Sequence, residues 1–272
     1  MALRITNNVS SLNAQRNINK SQNGLTKSLE RLSSGLRINK AGDDAAGLAI
    51  SEKLRSNIRA MNQAGRNASD GVSLIQTAEG AMDEINNMLV RMKELAEQSA
   101  TGTVGSEERA YLSSEYVALR TEITRISDAT KFNDTALLDG SLDVDIQIGI
   151  SDGTTDTLTV TVSDVSASAL SLTSSIGTVS DAQDALTSVT DAINTIASRR
   201  SSLGSLQNRL ESIVNNIDTV VENLTAAESR VRDVDIASET ANLTKYSILV
   251  QAGVSVLTQA NQSPTVALSL LQ

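Results

Sequence analysis

The chain has 272 residues, a formal net charge of −9, and no cysteine or histidine. These absences exclude disulfides, thiolate nucleophiles, zinc sites built on cysteine or histidine, and the commonest acid–base catalyst. The negative charge argues against nucleic-acid binding, which depends on clustered lysine and arginine, and no apolar run approaches the roughly 18 residues that membrane insertion of a helix requires.

Hydrophobic residues make up 40% of the chain, whereas aromatic residues make up 1%. An aliphatic core suits thin layers, such as helix packed on helix, better than a thick globular interior. Pro264 is the single proline, so little in the sequence forbids long helices. We therefore predict a mainly α fold of long antiparallel helices in a coiled-coil bundle, with a small β-hairpin and with paired N- and C-termini.

The first predicted helix runs from Asn7 to about Asn39. Residues 1–40 carry seven basic side chains and one acidic side chain, Glu30. A basic amphipathic arm can bind a membrane surface, but this one lacks Trp and Phe, and a solvated helix face explains the charges more simply. The apolar stripe of this helix is Ile18, Leu25, Leu29, Leu32 and Leu36.

Two further helices are predicted from about Ala45 to Ser99 and from about Ser106 to Ala129. Asp43 or Asp44 is a suitable N-cap for the first of them. These neighbouring carboxylates could in principle perform acid–base chemistry, but capping and loop contacts are the simpler interpretation. A helix of about 55 residues is far longer than usual and indicates a coiled coil or bundle.

Alternating apolar and polar residues near 143–163 predict a β-hairpin around an Asp152-Gly153 turn. Its acidic residues lack the spacing of a calcium-binding loop, so they are interpreted as a polar strand face and turn. Residues 163–180, rich in Ser, Thr and Ala, are predicted to form a surface connection.

The most regular pattern follows this connection as a core heptad seam with strict 3/4 spacing. Its members are Leu203, Leu206, Leu210, Ile213, Ile217, Val220, Leu224, Ala227, Val231 and Val234. The last segment, Ser238 to Gln272, is predicted to be a weaker amphipathic helix, limited by Pro264. Its apolar stripe is Ile248, Leu249, Ala252 and Val256.

The pattern predicts two domains: residues 1–44 with 235–272 as a terminal helical domain, and 45–234 as a helical core that contains the hairpin. Each terminal arm alone contains too little apolar surface to offset its chain entropy. We therefore expect the arms to become ordered against each other and against partners.

Several stretches resemble bacterial flagellin, and they occur at both ends of the chain in the family's order. Near the N-terminus they are Ile5-Thr-Asn-Asn-Val9, Leu32-Ser-Ser-Gly-Leu-Arg-Ile-Asn39 and Asp43-Asp-Ala-Ala-Gly-Leu-Ala-Ile50. Near the C-terminus they are Ile248-Leu-Val-Gln-Ala-Gly-Val-Ser-Val-Leu257, Gln259-Ala-Asn-Gln262 and Leu268-Ser-Leu-Leu271. The chain resembles a short family member without large variable outer domains.

This resemblance implies a structural subunit that polymerises with identical subunits into the extracellular flagellar filament for motility. It implies export by the flagellar type III apparatus without a cleaved signal peptide, and an export chaperone, a filament cap protein and hook-associated proteins as partners. It also implies recognition by Toll-like receptor 5, because Arg91, Leu95 and Glu115 match the residue types of the family's receptor-binding positions. The alternative for these three residues is a packed leucine beside two solvated charges.

Three other functions make different demands on the sequence. A hook–filament junction protein of the same superfamily would share the helical ends, and a coiled-coil adhesin or immune ligand would share the long helices. A metalloprotease, which some flagellins carry, is excluded because the His-Glu-x-x-His motif requires histidine. We therefore expect no enzymatic activity and no cofactor.

Overall fold

The computed structural model of the chain describes residues 7–172 and 175–269, with side chains up to residue 262. The predicted mainly α fold with a small hairpin is confirmed. The helices are α1 (Val9–Ser34), α2 (Ala45–Ala100), α3 (Ser106–Ala129), α4 (Val179–Arg232) and α5 (Ile236–Ser269). The strands are β1 (Lys131–Phe132), β2 (Thr135–Ala136), β3 (Leu142–Gln147) and β4 (Thr157–Val162).

The chain divides into two compact units, which we call the terminal unit (residues 1–56 and 223–272) and the central unit (residues 57–222). The division lies inside α2 and α4. The domain boundaries predicted from sequence, at 44/45 and 234/235, are placed at the loops that connect successive helices.

The core of the central unit is formed by α2, α3, α4, the hairpin and the segment before α4. Residues Ile85, Leu89 and Met92 of α2 and Tyr116 and Ile123 of α3 are completely buried. The helices α2 and α4 run antiparallel. Arg200 of α4 forms an ion pair with Asp83 of α2 at 2.8 Å. Ile217, which comes later in α4, lies beside Gly65, which comes earlier in α2. This arrangement explains how long helices with few aromatic residues bury a continuous aliphatic core.

The predicted hairpin is present as the antiparallel pair of β3 and β4, with Leu142 opposite Val162 and Ile146 opposite Leu158. These four side chains are buried, as the alternating pattern predicts. Ile146 lies against α2 at Gly71, where the missing side chain leaves room for its Cδ1. The hairpin is thereby stabilised by packing on a helix, because an isolated hairpin is marginal in water.

The prediction that residues 163–180 form a surface connection is wrong. The large apolar residues of this segment, Val165, Leu170, Leu172 and Ile176, are all buried. Its polar residues satisfy the backbone locally, as where the Asp164 carboxylate accepts from the Ser166 N–H at 2.7 Å. Backbone polar groups paired in this way allow the apolar side chains to enter the core.

The helix α5 passes through Pro264 and ends at Ser269, so the prediction that Pro264 limits the helix is also wrong. Proline removes a single backbone donor. The carbonyl that would have accepted from it, that of Ala260, accepts instead from Asn8 Nδ2 at 2.8 Å.

Candidate assembly site

In the terminal unit, α1 and α5 pack against each other along their lengths as an antiparallel pair, which we call the terminal pair. The side chain of Asn8 caps α1, because its Oδ1 accepts from the Ser11 N–H at 3.0 Å. Asp235 caps α5 through the Ala237 N–H at 2.9 Å. Both caps agree with the preference of Asn and Asp for helix N-termini.

Four of the α5 residues that contact α1 recur at every seventh position. They are Glu239, Tyr246, Gly253 and Ala260, and each is buried or half-buried. A period of seven is typical of a coiled-coil seam. Leu243, Val250 and Leu257 lie between these positions at 3/4 spacing and are half-buried, so the seam combines small and polar residues with aliphatic ones.

The apolar stripe predicted for α5 is largely exposed. Ile248, Leu249 and Val256 are 58%, 43% and 58% exposed, and Ala252 is also exposed. Other large apolar side chains of the terminal unit are exposed as well, namely Val9, Leu12, Leu29, Ile50, Ile236 and Val254. Most of these side chains lie on the adjacent helices α1 and α5, and this much exposed apolar surface is typical of an interaction site.

A groove of about 580 Å³ lies along the terminal pair. Its lining includes the apolar side chains of Ala14, Leu249 and Val256 and the basic side chains of Lys20 and Lys245. A second protein segment could fill this groove with apolar groups and place an acidic group near the lysines.

One buried polar cluster interrupts the contact between the two helices. Glu239 is 7% exposed and Ser28 is 2% exposed, and the Ser28 hydroxyl donates to Glu239 Oε1 at 2.5 Å. Arg31 lies 3.5 Å from the other carboxylate oxygen. A buried carboxylate is tolerated here because it has both a hydrogen bond and a positive charge nearby.

A short antiparallel contact joins the segment after α1 to the segment between α4 and α5. Gly35 ends α1 in a left-handed conformation with φ of 73°, which glycine adopts without steric cost. Leu36 then bridges Asp233, and the Val234 N–H donates to the Gly35 carbonyl at 3.0 Å. These bonds hold the turn after α1 against the turn between α4 and α5.

The two neighbouring carboxylates at the start of α2 have structural roles. Asp44 caps α2 through the Gly47 N–H at 2.8 Å. Asp43 contacts the Lys27 ammonium at 2.6 Å, and this hydrogen bond, with that from the Lys40 N–H, lowers the pKa of the Asp43 carboxyl to about 2. An acid this strong remains ionised at neutral pH and holds the loop to α1.

The predicted core heptad seam maps onto α4 with one difference. Leu203, Leu210 and Ile217 are buried. The intermediate members Leu206, Ile213, Val220, Leu224, Ala227 and Val231 are half-buried. Val234 lies beyond the end of α4 at Arg232, so this last member belongs to the contact with Gly35 rather than to a helical seam.

The three residues with receptor-binding resemblance separate into two environments. Arg91 and Glu115 lie on α2 and α3 and form an ion pair at 2.9 Å, with side chains that are about half exposed. Hydrogen bonds to Glu94 and Glu115 raise the pKa of the Arg91 guanidinium, which stays charged. Leu95 is 1% exposed, so it packs in the core, as the alternative interpretation of this residue predicts.

Within the part of the chain that the structure describes, no group of acidic side chains is arranged to hold a metal ion. The described helices also include none that combines the length and the apolar character needed to cross a membrane.

Comparisons with known proteins identify the family. The model of the bacterial flagellin N-terminal helical region matches residues 5–143, and that of the C-terminal helical region matches residues 186–271. A flagellin from Halalkalibacterium halodurans is 47% identical over 98% of this chain and 99% of its own length. A flagellin from Bacillus subtilis is 41% identical over 99% of this chain and 100% of its own length.

Solved structures agree with this result. The crystal structure of Bacillus cereus flagellin is 34% identical, with a TM-score of 0.52 over 60% of this chain and 94% of that one. A flagellar hook-associated protein from Vibrio parahaemolyticus has a TM-score of 0.60 over 70% of this chain and 100% of that one, but 13% identity, which shows likeness of fold alone. The chain belongs to the bacterial flagellin family, whose members polymerise into the flagellar filament.

Proposed function

We propose that this flagellin polymerises through the exposed apolar face of its terminal pair, which packs against the terminal pairs of identical subunits. The observation that carries the proposal is the exposure of Leu12 on α1 and of Ile248 and Val256 on α5, each more than half exposed. Burying such side chains is the main driving force of protein association, and a monomer leaves them in water.

The proposal predicts a specific effect of Ile248→Ala on filament growth. Ile248 is 58% exposed, so burying its exposed part contributes about 1 kcal/mol, and its loss should raise the critical concentration for polymerisation about fivefold. Sedimentation of the full-length protein at a series of concentrations measures this value.

Gln251→Ala is the matched control, because Gln251 is an exposed polar residue on the same helix and alanine is at least as compatible with the helix as glutamine. We expect it to change the critical concentration by less than about twofold, a small surface effect. An unchanged critical concentration in Ile248→Ala would remove this face from the assembly interface.

We also propose that the subunit leaves the cell without a cleaved signal peptide, through the flagellar type III apparatus. An export chaperone would cover the apolar face of α5 before export, and a cap protein would guide its insertion at the filament tip. Hook-associated proteins would be the neighbours at the filament ends. The support is the family membership together with the exposed apolar residues of the terminal pair.

A secondary role as a ligand of Toll-like receptor 5 is proposed for the central unit. Its support is the exposed ion pair of Arg91 and Glu115, which presents a fixed arrangement of charge on adjacent helices. Leu95 would contribute indirectly, by holding α2 in place from the core.

The double variant Arg91→Ala with Glu115→Ala tests this role. An exposed ion pair adds at most about 1 kcal/mol to stability, so the fold should be retained, whereas receptor signalling by monomer should fall by about tenfold or more. Arg125→Ala with Glu122→Ala removes another exposed pair on α3 and is the control. Equal potency of the wild type and the first double variant would exclude Arg91 and Glu115 from the receptor site.

A further inference from the structure

We propose that Gly24 and Gly253 are the residues that select the register of the terminal pair, and that filament assembly depends on this register. Each glycine provides space for a large side chain of the other helix. A Cβ atom added to Gly24 would lie 2.7 Å from Cε1 and Cζ of Tyr246, and one added to Gly253 would lie 2.7 Å from Cγ1 of Ile18. Such distances are shorter than van der Waals contact allows.

We call the space beside each of these glycines a socket, and the two sockets are reciprocal. The helix α1 contributes one glycine and the side chain of Ile18, while α5 contributes the other glycine and the side chain of Tyr246. A coiled-coil seam is normally specified by how each side chain fits the space opposite it. Here the fit depends on the absence of a side chain at one point on each helix.

A shift of one helical turn would disrupt both sockets. The ring of Tyr246 would then face the Cβ-bearing residues Ser21 or Ser28 in place of Gly24, and Ile18 would face Val250 or Leu257 in place of Gly253. If either helix slides along the other in either direction, a side chain therefore occupies the space that each glycine leaves open in the observed register. The observed register is consequently favoured over its neighbours on both sides.

The distant end of the pair has a polar contact in the same register. Asn8 Nδ2 donates to the Ala260 carbonyl at 2.8 Å, and the Ser11 hydroxyl donates to Asn261 Oδ1 at 2.8 Å. The Ala260 carbonyl is available because Pro264, four residues later, has no N–H to donate to it. Thus the proline that fails to end α5 creates an acceptor that α1 uses.

The experiment compares four glycine-to-alanine substitutions in the full-length chain. Gly24→Ala and Gly253→Ala fill the sockets. Gly80→Ala in α2 and Gly204→Ala in α4 are the controls, because a Cβ at either position meets no atom within 4 Å. Alanine favours helix more than glycine does, so helix propensity alone predicts that no variant should impair assembly.

We expect the two socket variants to raise the critical concentration for polymerisation at least about tenfold, and the two controls to change it less than about twofold. Circular dichroism of the monomers should show unchanged melting of the central unit in all four. Ile18→Ala removes the atom nearest to the Gly253 socket, so Ile18→Ala with Gly253→Ala should polymerise more readily than Gly253→Ala alone.

This inference rests on the proposed role of the terminal pair in assembly, and the outcomes separate the two. Wild-type critical concentrations in both socket variants, combined with impaired assembly of Ile248→Ala, would overturn the register proposal alone. Normal assembly of the socket variants and of Ile248→Ala would overturn both. An impaired Gly253→Ala that Ile18→Ala does not relieve would show that the socket is not the cause, and would also overturn the register proposal.

Discussion

Removal of residues 1–39 together with residues 238–272 should leave a soluble, helical monomer that melts cooperatively and forms no filaments. The central unit keeps its aliphatic core, including Ile85, Leu89 and Met92. By contrast, Ala14 and Ser28 are the buried residues of α1 in the described part of the chain. The stability of the chain is therefore concentrated in the central unit, and the surface proposed for polymerisation lies in the terminal pair.

Three measurements check this expectation. Circular dichroism measures the melting of the truncated protein, and electron microscopy after adding seeds or precipitating salt shows whether filaments form. Hydrogen exchange on the full-length monomer should show little protection of α1 and α5, and strong protection after polymerisation. Filaments formed by the truncated protein, or a truncated protein that is unfolded, would contradict the assignment of stability and assembly to different units.

Ile217→Asp should strongly destabilise the central unit. Ile217 is 4% exposed and packs beside Gly65 of α2, so the new carboxylate would be buried against a helix without a partner or would have to be protonated. We expect a loss of at least about 3 kcal/mol of unfolding free energy. For a unit of this size the melting temperature should fall by roughly 6–12 °C.

Asn216→Asp is the matched control, because it introduces the same charge at the adjacent, exposed position of α4. Its unfolding free energy should change by less than about 0.5 kcal/mol. Thermal melting by circular dichroism of both variants decides the matter. Similar melting temperatures for Ile217→Asp and the wild type would show that this position is not buried in solution.

Patterns that involve large apolar residues predicted the fold well. Isoleucine, leucine and valine at 3/4 spacing predicted much of α4, and their alternation with polar residues predicted β3 and β4. The first half of α4, from Val179, was not predicted, because small residues such as Ala182, Ala185 and Ala192 occupy its buried face. Alanine is common on both buried and exposed helix faces, so it gives a weak signal for burial.

The same limitation explains the errors in the terminal pair. In α5 the residues that contact α1 include Glu239 and Gly253, whereas Ile248 and Val256 are more than half exposed. An amphipathic pattern identifies an apolar face but not the partner that covers it. For a subunit of a polymer, the most apolar face of a helix can belong to the interface between copies.

The placement of Tyr246 against Gly24 also supplies an optical probe. The chain has no tryptophan and three tyrosines, so its intrinsic fluorescence comes from tyrosine alone. Tyr116 is fully buried and Tyr111 is 78% exposed, and both belong to the central unit, while Tyr246 lies between the terminal helices. Emission from Tyr246 in a Tyr111→Phe protein should therefore change as the helices pair, against a constant background from Tyr116, and filament growth can be timed without an added label.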